Sequence, residues 1–223
     1  MQNLTLYISL VLILSATTLA ETYRYTPDQA HLLADAFQRL QSGDRVVFER
    51  GTYRLESGLE LTDLTDVTLE SRGQVTLLVN DLDDSVLEIN NCRNVTVKGL
   101  RAAHREPGKE YQCEGPVIEV RKSKQVLIAE NRLNGCGAAG VHAYQSQDVV
   151  VLDNRIFNNT YAAIWVTDSQ VFVHRNKIHD NAATLSTYGK CDVTLTENSI
   201  QDNSGNDYVQ TDFFRRAVGD REN

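Results

Sequence analysis

The stretch DVVVLDNRIFNN, residues 148–159, reads as a short strand, a bend and a second short strand. Val149 and Val151 alternate with other residues, the period-two mark of a strand with one face buried. Asn154 follows, a residue suited to a tight bend because it tolerates left-handed backbone and bonds its own chain. Ile156 adds an inward apolar position and Asn159 closes the unit. The same pattern recurs as QVLIAENRLNGC from Gln125, QVFVHRNKIHDN from Gln170 and DVTLTENSIQDN from Asp192. The four copies begin 23, 22 and 22 residues apart.

Self-similarity at a period of roughly 20–50 residues marks a stacked solenoid in which each copy is one coil. The copies carry strand spacing and no helical spacing, which excludes helical repeats. Stacking aligns Asn131, Asn154, Asn176 and Asn198 in one column, where each side chain can bond its copy above and below. A second column holds Cys136, Asn159, Asn181 and Asn203, and counting back 23 residues from Cys136 lands on Cys113. Adjacent coils lie ~4.8 Å apart, inside the Cα separation of about 4.4–6.8 Å that a disulfide requires. A Cys113–Cys136 bridge is therefore expected, with Cys92 and Cys191 as single buried thiols.

Outward from these copies the repeat degenerates. DVTLES at Asp66 and NVTVKGL at Asn94 match the strand 28 residues apart, and Val95 to Val126 spans 31. The excess falls in AAHREPGKEYQC, residues 102–113, and insertions in solenoids become loops, often on the binding face. Ahead of the coils, TPDQAHLLADAFQRLQSGD (26–44) has Thr26 and Gln29 as a capping box, Pro27 at the first helical position, and Leu32, Leu33, Ala36, Phe37 and Leu40 as an apolar stripe. Such a helix suits the cap that a solenoid end needs. The tail, with Tyr208, Val209, Phe213 and Phe214, is expected to cover the other end. The organisation expected is a leader at 1–20, a segment with the capping helix at 21–44, about seven coils over 45–206, and a C-terminal cap at 207–223.

These features resemble the right-handed parallel β-helix superfamily of exported proteins, whose members include pectate lyases, polygalacturonases, alginate-active enzymes and a copper-accessory family. SGDRVVFERGTYRLESGLEL (42–61) is similar to that family's opening, a Gly-Asp before the first strand and a Gly-x-Tyr after it. The resemblance covers residues 26–210. It implies an all-β, single-stranded right-handed parallel β-helix solenoid with an N-terminal capping α-helix, and a sheet face on which polysaccharide lies. Activity does not follow, because this fold hosts unrelated functions.

MQNLTLYISLVLILSATTLA (1–20) holds no charge, one long apolar run and small residues ahead of Ala20. It reads as a secretory signal peptide, with a retained membrane anchor as the alternative, so the protein is expected in the periplasm or secreted. No second segment reaches the ~18 apolar residues of a spanning helix. With 22 basic and 30 acidic side chains and a net charge of -8, the chain lacks a nucleic-acid binder's basic surface. Sequons at Asn94 and Asn158 matter only in a eukaryotic secretory pathway.

Aligning the strands that precede each copy puts Ile118, Val141, Ile164 and Ser186 inward, and Val120, Ala143, Val166 and Tyr188 inward beside them. Glu88, Glu119, His142, Trp165 and Thr187 then point outward, next to an outward column of Arg121, Tyr144 and Thr167. Aromatic rings stack on apolar sugar faces and charged groups orient hydroxyls and carboxylates. A monomer binding polysaccharide through Glu88, Glu119, Arg121, His142, Tyr144 and Trp165, without cleaving it, is the leading expectation. The alternatives are a lyase or glycoside hydrolase using loop 101–115, with His104, Arg105 and Glu119 as catalytic candidates, and a structural or assembly protein without a glycan ligand.

Specific enzyme patterns mostly fail. Hydrolysis needs paired carboxylates across the sugar, which only Glu88 and Glu119 offer, with no clustered Asp set beside them. Lyase-type calcium binding needs outward acids on successive coils, so Ca2+ is expected only if the protein is a lyase. No other cofactor or metal is expected: the five histidines do not pair at ligand spacing, and Met, a copper(I) ligand, occurs only at residue 1.

Overall fold

In a computed structural model that describes residues 20–106, 113–135 and 137–205, the chain winds into a parallel β-solenoid of about eight turns. Strands pair with the turn before and the turn after, in one twelve-stranded and one six-stranded sheet. One turn shows the plan. Ala139–Tyr144 lies in the six-stranded sheet, Gln147–Leu152 in the twelve-stranded sheet, and Arg155–Phe157 on the far arm of that same sheet.

The register is the one the repeat dictates. Val149 pairs with Val126 and Val171, and Ile156 pairs with Leu133 and Ile178. Val141, Val149, Val151, Ile156 and Ile164 are all fully buried. Asn131, Asn154 and Asn176 each donate from Nδ2 to Oδ1 of the Asn on the next turn, at 3.0–3.1 Å. The same amides also donate to buried carbonyls of Val97, Ile128 and Val151. Buried polar side chains are as a rule hydrogen-bonded, and identical copies one turn apart supply partners for this column. Left-handed backbone falls on the residue before each ladder Asn, at Glu130, Asp153, Arg175 and Glu197, rather than on the Asn. The reason is division of labour: the strained residue points its side chain to solvent, so the Asn can turn inward.

A further column was not read from the sequence. Ser123, Ser146 and Ser169 stack at the corner between the sheets, the backbone N–H of one turn donating to Oγ of the next at 2.8–3.0 Å. Cys92 and Cys191 occupy the two ends of this column: Cys92 N–H donates to Ser123 Oγ, and Cys191 Sγ bonds the Val166 carbonyl. Both are buried free thiols.

Three details depart from expectation. Thr22–Tyr25 is a strand paired with Arg45–Phe48, so the winding begins before residue 45 and exceeds seven coils. The helix is a 3-10 segment, Pro27–Leu32, running into one α-turn, Leu33–Phe37. Leu33, Phe37 and Leu40 pack into the core with Val46 and Phe48, while the tighter 3-10 winding turns Leu32 outward, 45 % exposed. At the last turn Ile164 pairs with Leu185, Trp165 with Ser186, Val166 with Thr187 and Thr167 with Tyr188. Leu185 is therefore the inward residue, Ser186 faces outward, and Tyr188 is 74 % exposed. The spacing there is 21 residues, because the corner before Leu185 is one residue short and Gly189, at φ 77°, restores the count.

Cys136, and with it the expected bridge to Cys113, lies outside the described residues, as do the leader through residue 19, residues 107–112, and the aromatic tail. No helix among the described residues is long and apolar enough to cross a membrane.

Candidate functional site

Parallel pairing at ~4.8 Å per turn converts the outward residues of the six-stranded sheet into two vertical columns. The first reads Glu60, Glu88, Glu119, His142, Trp165, Ser186. The second reads Thr62, Asn90, Arg121, Tyr144, Thr167, Tyr188. All six residues expected to bind ligand therefore share one face.

Contacts along that face are continuous. The His142 and Trp165 rings stack at 4.1 Å and 16°. His142 Nδ1 lies 3.2 Å from Glu119 Oε1, and its Nε2 lies 3.4 Å from Thr167 Oγ1. Arg121 donates from Nη1 to Glu119 Oε1 at 3.0 Å, sits 3.8 Å from Glu88, and lays its guanidinium 4.9 Å from the Tyr144 ring centroid. Ser85 Oγ donates to the other Glu119 oxygen at 3.1 Å.

Burial assigns different roles to these side chains. Glu119 and His142 are 9 % and 7 % exposed, so they form the floor of the face rather than its contact surface. Tyr144, Trp165 and Arg121 remain partly accessible. Burial pushes the Glu119 carboxyl up, but the His142 and Arg121 contacts outweigh it and hold the group below the usual carboxylate range. Glu88 goes the other way: burial, then the charges of Glu119 and Glu60, raise it against the pull of Arg121. Glu119, with both oxygens engaged, has no free edge for a nucleophile or base.

The two loop candidates stand elsewhere. His104 ends the strand Arg93–His104, is 5 % exposed, and bonds through Nε2 to the Asp84 carbonyl at 2.7 Å. Burial lowers its pKa, and the carbonyl partner fixes Nε2 as the protonated nitrogen. Arg105 is exposed and donates from Nε to the Asn80 carbonyl at 2.8 Å. Neither contact reaches the aromatic face, so the structure does not bring these two residues into the site.

Residues missed by the sequence reading complete the face. Tyr161, 48 % exposed, meets Trp165 edge-on at 5.0 Å and shares a 2.8 Å hydrogen bond with Ser186. It precedes the strand Ala162–Thr167, so strand periodicity gave no signal for it. Glu60 extends the carboxylate column by one turn, which the pairing of LEL (59–61) with LEI (87–89) could have shown. Beside Glu60 a groove of about 590 Å³ opens between the short helix and the sheet, lined by Phe37, Gln38, Thr62 and Asp84. Among the described residues no group of three or more His, Cys, Asp or Glu is arranged to hold a metal ion.

The family model for the right-handed β-helix region matches residues 62–213, and the chain belongs to that family. Among solved structures it is similar to a putative glycosyl hydrolase from Parabacteroides merdae ATCC 43184, with a TM-score of 0.57 and 11% identity over 82% of this chain and 100% of that one. It is also similar to the major allergen from cedar pollen (TM-score 0.45, 12% identity, 78% of this chain and 64% of that one). A third is a pectin methylesterase mutant in complex with a hexasaccharide (TM-score 0.43, 9% identity, 84% and 88%). At these identities the likeness is one of fold. Comparison with curated proteins gives no significant match.

Proposed function

We propose that the protein is an exported, monomeric β-helix that binds an extracellular or cell-envelope polysaccharide on its six-stranded sheet without cleaving it. The observation that carries this reading is the continuous ring contact Tyr161–Trp165–His142, continued by Tyr144 and Arg121, on one sheet face. Stacked rings held by a buried carboxylate are fixed in advance, so a sugar chain laid on them costs little ordering entropy. Glu119 and His142 position this surface from beneath. Arg121 and the Glu88 carboxyl offer charge-assisted hydrogen bonds to hydroxyl or carboxyl groups along the chain.

A hydrolase reading has one observation in its favour, the opposite displacement of the Glu88 and Glu119 carboxyls on adjacent turns. The engagement of both Glu119 oxygens weighs against it.

Trp165 is the chain's single tryptophan, so intrinsic fluorescence reports this face alone. Titration with a bound polysaccharide should shift and change its emission saturably, with no reducing ends or unsaturated products released. Release of products that Glu119→Gln abolishes would replace binding with catalysis.

A further inference from the structure

On the far arm of the twelve-stranded sheet, away from the aromatic face, Arg101, Arg132, Arg155 and Lys177 stand in register on four consecutive turns. None of the four makes an ion pair with a carboxylate among the described residues. The nearby turn carboxylates are committed elsewhere, Glu130 to Lys98 at 3.0 Å and Asp153 to Arg175 at 2.6 Å. Like charges directly opposite on neighbouring strands are destabilising, and here four occur in a row on a chain of net charge -8.

The stripe is also ordered. Phe157 is the next outward residue after Arg155 and stands in register with His179, yet it is only 6 % exposed. It is covered by the Arg132 guanidinium at 4.5 Å, the Arg155 guanidinium at 4.8 Å, and the His179 ring stacked at 5.2 Å. Arg155 Nε also contacts His179 Nε2 at 2.9 Å. A guanidinium fork is suited to meeting a carboxylate or sulfate through two parallel hydrogen bonds. Burial, then the neighbouring charges of Arg155 and Arg101, lowers the Arg132 pKa, the mark of a cation short of counter-charge.

We infer that this stripe is a second binding surface, for the regularly spaced anionic groups of an acidic polysaccharide such as a uronate polymer. Its one-turn spacing of ~4.8 Å is comparable to the length of one sugar residue, so successive cations meet successive carboxylates. The inference deepens the polysaccharide reading and rests on it for the choice of a glycan as the polyanion. The acidic remainder of the surface disfavours nucleic acid, whose denser charge demands a broad basic footprint.

The test is binding of the purified protein to polygalacturonate, to a neutral β-glucan and to single-stranded DNA, measured at two salt concentrations. Arg132→Gln/Arg155→Gln removes the two guanidiniums over Phe157, so circular dichroism and melting check its fold. Arg101→Gln/Lys177→Gln removes the ends of the stripe and leaves Phe157 covered. Wild type should bind polygalacturonate, and each double variant should lose at least about tenfold in affinity, as expected for removing two charge-assisted contacts. The variants should also lose part of the salt dependence that screening imposes. Unchanged affinity and salt response in both variants overturns the inference, as does DNA binding at least as tight as polygalacturonate and equally sensitive to them. If Trp165→Ala leaves polygalacturonate binding intact while the double variants lose it, the stripe stands and the aromatic face does not. Binding of neutral glucan but of no polyanion supports the face and overturns the stripe.

Discussion

His142 and Trp165 occupy the same column on adjacent turns, their rings 4.1 Å apart and nearly parallel, and the imidazole is tied from below to Glu119. The accessible tryptophan is thus the visible end of a buried polar contact. Trp165→Ala should remove polysaccharide binding and also cost about 1–3 kcal/mol of stability, from the lost stack and lost burial. Thermal melting should fall by several degrees, and Trp165→Phe should recover most of the melting temperature.

Glu119 has a folded-state pKa below its unfolded value of about 4.3. The stability it contributes is fully present above that unfolded value and is lost as pH falls through the folded one. Glu119→Gln should therefore destabilise the protein at pH 7, and the gap between variant and wild type should close below about pH 4. Melting curves across pH 3–7 check this.

Glu88 carries the opposite sign. Its raised pKa means the protonated form fits the fold better, so stability is lost as pH rises through the folded-state value. Glu88→Gln should slightly raise the melting temperature at pH 7 and give no gain at pH 3. The 3.8 Å pair with Arg121 that it gives up is worth under ~1 kcal/mol.

Asn154→Ala removes a buried amide that donates to Ile128 and Asn176 and accepts from the Asn131 backbone and side chain. Each buried partner left unbonded costs about 1–3 kcal/mol, so a loss of about 3 kcal/mol or more is expected in denaturant unfolding. Ser146→Ala at the corner should cost less, since its Oγ accepts from one backbone N–H, that of Ser123, and has a single proton to donate between the Tyr144 and Val120 carbonyls.

The column spacing of Cys113 and Cys136 predicts a bridge between them. Unfolded without reductant, the protein should then expose two alkylatable thiols, Cys92 and Cys191, and four after reduction. Mass spectrometry counts them directly, and four thiols without reductant contradict the bridge.

Most of the winding was legible because each turn repeats the same inward residues, and one wrong register would have exposed Val149 or Ile156. The Asn column and the outward placement of Glu88, Glu119, His142 and Trp165 followed from that same constraint. Where the count changed, reading failed: a corner one residue short before Leu185 moved Ser186 and Tyr188 to the other face. Burial on the outer face was also hidden, because it depends on neighbours across turns. His142 and Glu119 look exposed by periodicity but are covered by Trp165 and Arg121. His104 looked like a loop residue, yet its ring is folded inward onto the Asp84 carbonyl.

The most direct test of polysaccharide binding is affinity electrophoresis of wild type beside Trp165→Ala through gels cast with neutral and acidic polysaccharides. Retardation of wild type in at least one gel, with Trp165→Ala running freely there, is the result expected. Equal mobility of the two proteins in every gel would contradict a ligand-binding aromatic face.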